Sequence, residues 1–64
     1  MTFEVFKQNV NRLIEKAGIK EVFYRESDDG RYFADTDGVT IIGRRGSLKV
    51  TVRYGSGHQM MAVL

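Results

Sequence analysis

The chain has no cysteine, no proline and no tryptophan, and only one histidine in 64 residues. Without cysteine there are no disulfide staples of the kind small secreted domains use, and no thiolate metal site. With His58 as the sole imidazole, a Ser-His or Cys-His catalytic pair would rest on that residue alone. No apolar run approaches the roughly 18 residues of a membrane span, and no basic start leads into an apolar leader segment. The expectation is a cytoplasmic protein, not an enzyme, with no membrane association, no metal and no cofactor.

Acids are missing from the second half. All eight, the last of them Asp37, lie in residues 1 to 37 beside six Lys/Arg, a local net charge of −2. Residues 38 to 64 hold Arg44, Arg45, Lys49 and Arg53 with no acid, a local charge of +4. The overall +2 hides this asymmetry, which points to a surface meant for negative charge. Hydrophobic residues at 42% and charged residues at 28% fit an ordinary globular chain, and 64 residues suit one small α+β domain spanning 1–64.

Phe3, Phe6, Val10, Leu13, Ile14 and Ala17 recur at steps of three and four, the period of one helical face. Thr2 suits the N-cap and Gly18 the left-handed stop, so the spacing predicts a helix over 2–17. Beyond Gly18 the period changes to β-rich runs at 19–27, 31–35, 39–44, 47–54 and 59–64. These are separated by the short turn sequences DDG, TDG, RG and GSG. The predicted fold is an N-terminal amphipathic helix packed on an antiparallel meander of four or five strands.

A two-residue Arg45-Gly46 loop would set Gly43 opposite Leu48, Ile41 opposite Val50 and Val39 opposite Val52, making one face wholly apolar for the helix. Phe6, Val10, Leu13 and Ile14 are expected to pack on it. A three-residue GSG loop adds His58, Met60, Ala62 and Leu64 to that side. Ile42, Met61 and Val63 then fall on the outer face with cations at its margins. Which of Phe23, Tyr24, Tyr32 and Phe33 point outward stays open, because a one-residue slip in the first hairpin exchanges them.

Arg44, Arg45, Lys49, Arg53, Tyr54 and His58 form the candidate site, cations beside an aromatic on a sheet, as in platforms that hold phosphates and stack bases. The expected partner is nucleic acid or an acidic complex bearing it. The rival is a protein-interaction or inhibitor protein of the type phages and mobile elements encode, with Ile42, Met61 and Val63 as anchors and the cations steering. A homodimer through the C-terminal edge strand is a further expectation. YGSGH has the glycines of an anion loop but joins two strands, whereas phosphate loops usually open a helix. DTDG resembles the centre of an EF-hand loop, yet that register puts Phe33 and Arg44 where acids are required.

A small ribonuclease is the weakest alternative. LIEKAGIKEV superficially resembles the opening of HicA-type toxin ribonucleases, in which a helix ends in Ala-Gly before a strand. The Gly-Ser-His element of that family has no counterpart in FYRESDDGRYF, and MMAVL is too short for its second helix.

Overall fold

The structure is a computed structural model describing residues 1–63. Helix α1 spans Phe3–Lys16. The Val5 N–H donates to Thr2 Oγ1 at 3.2 Å, and Glu4 stands in the first turn, where the helix dipole favours a carboxylate. At the other end the Ile19 N–H donates to Ile14 O and the Gly18 N–H to Glu15 O. This Schellman pattern fits the positive φ of Gly18. Thr2 and Ala17 are therefore caps, one residue outside the helix at each end.

Five strands follow: β1 Phe23–Glu26, β2 Arg31–Thr36, β3 Val39–Arg44, β4 Lys49–Tyr54 and β5 Gln59–Val63. They form one open antiparallel sheet whose spatial order is the sequence order. The first strand begins four residues later than expected. Residues 19–22 instead carry the chain from the helix end to the sheet, with Ile19 and Val22 packed against the core.

The β3–β4 register differs from the expected one. Ile41 pairs with Val52 and Val39 with Tyr54, a slide of two residues, because residues 45–48 form a four-residue connection. The Arg45 N–H donates to Gly30 O at 2.8 Å, tying the end of β3 to the first hairpin loop. Ser47 Oγ accepts from the Lys49 N–H, so β4 starts two residues late. A slide of two preserves side-chain parity, and Val39, Ile41, Val50 and Val52 still share the face under the helix. Leu48 does not: it leaves the sheet and is 61% exposed. The β4–β5 register agrees with the three-residue loop, Val50 facing Ala62 and Val52 facing Met60. His58, Met60 and Ala62 thus keep the helix-side parity, while Leu64 lies outside the described residues.

The core is Phe6, Val10, Ile14, Tyr32, Ala34, Ile41 and Val50. Two tyrosines under the helix decide where it sits. Tyr24 Oη donates to Lys7 O at 3.3 Å, and Tyr32 Oη donates to Met1 O at 3.1 Å. Both come from the β1–β2 hairpin. Gly43 draws the helix to the same side, since a Cβ there would stand 2.8 Å from the Phe6 ring. The opposite flank of α1 is left uncovered, and Leu13, expected in the core, is 46% exposed.

Candidate nucleic-acid interface

The helix covers one face of the sheet, and the strand registers assign every side chain of the other. Its middle row runs Arg25, Phe33, Ile42, Thr51, Met61 across the five strands. One flanking row runs Phe23, Asp35, Thr40, Arg53, Gln59. On the other flank Arg31 pairs with Arg44 and Lys49 with Val63, and continuing the Ile42–Thr51 register brings Lys49 beside Arg44. The strands of this face carry five cations and one acid, Asp35, which accepts a hydrogen bond from Thr40 Oγ1 at 3.0 Å.

The centre of the face is apolar. The Arg25 guanidinium lies 4.0 Å above the Phe33 ring, a cation–π contact that keeps the charge at the surface while covering the aromatic. Ile42 and Phe33 are half-buried, whereas Met61 and Val63 are 67% and 69% exposed. Around Arg31, Arg44 and Lys49 the surface dips into a notch of about 260 Å³, whose lining includes Ile42, Thr51 and Met61.

Arg31 is held in place from the side. Its Nε and Nη2 lie 2.9 and 2.8 Å from Asp29 Oδ2, and Ser27 Oγ also donates to Asp29. The hydrogen bond from Arg31, then that from Ser27, holds the Asp29 carboxyl well below the usual carboxylate range. Arg44 and Lys49 have no ion-pair partner among the described residues.

The expected site residues divide between the faces. Arg44, Lys49 and Arg53 come together on the open face with Ile42, Met61 and Val63. Arg45 does not join them. Its side chain packs on Gly30, and its guanidinium reaches to 3.9 Å from Glu26, which shares the helix-side parity of Tyr24 and Tyr32. Tyr54 and His58 also lie on the helix side of the sheet, their rings 5.9 Å apart, with Tyr54 Oη donating to Met60 Sδ at 3.3 Å.

The GSG loop is a hairpin turn. The Gly57 N–H donates to Tyr54 O and the Gly55 N–H to Gly38 O, so two of the donors an anion would need are already engaged. The positive φ of Gly57 serves that turn.

Four cationic or aromatic residues of the open face are absent from the expected site: Phe23, Arg25, Arg31 and Phe33. Their signal lies in the first hairpin. Ser27 and Arg31 close a three-residue loop, Ser27 N–H to Arg31 O at 2.8 Å, with Gly30 at its third position. A sequence reading that fixed that loop length would have placed Tyr24 and Tyr32 inside and these four outside. Compared with protein-family models, curated proteins and solved structures, the chain matches none, and its own geometry is the ground for assigning a role to the open face.

Proposed function

We propose that this protein is a non-enzymatic binding module whose open sheet face holds the phosphate backbone of nucleic acid, either free or within a nucleic-acid-bearing complex. Sorting of charge carries this reading: the strands put five cations and one hydrogen-bonded acid on the face the helix leaves bare, and the one further carboxylate that reaches it, Asp29 of the first loop, pairs with Arg31. Cations set beside exposed apolar and aromatic side chains can neutralise phosphates while offering surface for bases to lie on. His58 stands on the helix side, away from these cations, which weakens a ribonuclease reading of the same face.

The test is binding of a fluorescent single-stranded oligonucleotide followed by anisotropy across a salt series. If each of the five cations neutralises one phosphate, log K falls against log salt with a slope of about −3.5. Arg44→Glu combined with Lys49→Glu is expected to weaken binding at least tenfold. Arg45→Glu, off the face, should change it much less. A salt-independent affinity, or a double variant that binds as well as the wild type, removes the proposal.

A second reading rests on β5. This edge strand carries no charged residue and exposes Met61 and Val63, so it offers free backbone groups and apolar surface to a strand from a partner protein or a second copy. A partner captured equally well after nuclease treatment would favour it. Sedimentation at high micromolar concentration tests the homodimer: a clean monomer rules out self-pairing through β5.

A further inference from the structure

Like charges set directly across a sheet destabilise it, and this sheet sets three in one row. Arg31 on β2 is the registered partner of Arg44 on β3, and Lys49 on β4 stands next in line. Neighbouring strands are about 4.8 Å apart, so the three side chains spring from a strip about 10 Å wide. Asp29 answers Arg31 alone, contacting its Nε and Nη2 and leaving the other guanidinium hydrogens available. The notch between the three cations therefore carries a net charge of about +2 after Asp29 is counted.

The notch is the depression of the face at which three of its cations meet. Its volume of about 260 Å³ is that of roughly nine waters, room for a tetrahedral anion with part of its hydration. The remaining cations of the face stand apart, Arg25 one row away and Arg53 two rows away, at steps of about 6.7 Å along the strands. Charge is thus concentrated at one end of the face and sparse beyond it. A phosphodiester carries one negative charge, whereas a phosphomonoester carries about −1.5 to −2 at neutral pH and three acceptor oxygens. Three cations about one concavity suit the second better than the first.

We propose that the Arg31–Arg44–Lys49 notch captures a terminal phosphate of a nucleic-acid strand, whose following nucleotides run over the open face toward Arg53. This rests on the nucleic-acid reading of the face and adds to it a requirement for a phosphorylated end. The same oligonucleotide is compared with a 5′-phosphate, with a 3′-phosphate and with hydroxyls at both ends, at one fixed salt concentration. One phosphorylated form should bind at least about tenfold tighter than the hydroxyl form. Arg44→Thr and Lys49→Thr, each placing a strand-forming residue at its position, should each reduce that preference to less than about threefold.

Arg44→Thr also removes the opposed charge, so its denaturation midpoint at low salt should equal or exceed that of the wild type. Phosphorylated and hydroxyl forms binding within twofold of each other would overturn the terminal-phosphate proposal and leave the nucleic-acid reading standing. If none of the three oligonucleotides binds, both fall. A preference that survives intact in the two threonine variants would also overturn the assignment to this notch.

Discussion

Gly43 is buried beneath the helix, against the Phe6 ring. A methyl group there would meet the edge of the Phe6 ring at 2.8 Å, inside the closest approach of real carbon contacts, and Phe6 is itself fully buried. Gly43→Ala should therefore destabilise the fold by about 1–3 kcal/mol, seen as a lower urea midpoint. Nothing in the sequence marked this glycine, since it reads like any other strand residue next to a turn. Its role depends on a contact between residues 37 positions apart. Asp29 poses a different residue-scale question, because its carboxyl is exposed and its stabilising contacts to Arg31 and Ser27 are local. With its folded-state pKa lowered, the contribution is present above about pH 4 and is lost as the pH falls through the folded value. Asp29→Asn should lower the midpoint at neutral pH, and the difference from wild type should shrink in acid. A gap that stays constant down to pH 2 would show that the carboxylate is not its source.

At the scale of the element, the helix was legible because its signals are local: an N-cap threonine, a 3–4 apolar rhythm and a glycine stop all lie within 17 residues. Which apolar positions of the helix are covered was not legible. Leu13 and Ile14 are adjacent and equally apolar, but Tyr24 and Tyr32 pin the helix toward the β1–β2 hairpin, so Ile14 is buried and Leu13 lies at the open flank. Ile14→Ala should cost about 2–4 kcal/mol, whereas Leu13→Ala should cost about 1 kcal/mol or less. Equal losses in chemical denaturation would contradict this placement of the helix. The strands repeat the lesson. Turn residues marked the boundaries of the meander, and parity protected the face assignments when the β3–β4 register slid by two. Leu48 was misplaced because the length of its loop depends on a hydrogen bond to Gly30, which belongs to another hairpin.

Taken whole, the molecule is two-sided, with a helix and seven buried side chains on one face of the sheet and a basic surface with an apolar centre on the other. The half of that surface contributed by β3 to β5 was legible, because charge segregation in the last 27 residues is visible without any register. The half contributed by Arg25, Arg31 and Phe33 was not, because it sits among acids in the sequence and is separated from them only by strand parity.

The order of the strands in space, identical to their order along the chain, also bears on how quickly the protein reaches its native state. Each strand pairs with the one before it, so the sheet can grow hairpin by hairpin, and no crossover has to wait for a distant segment. With no proline in the sequence, the tens-of-seconds isomerisation of X–Pro bonds has no source. Stopped-flow refolding is expected to be one exponential complete well within a second, limited by docking of the helix onto the β1–β2 hairpin. A second phase lasting tens of seconds would mean that the meander does not assemble in sequence order.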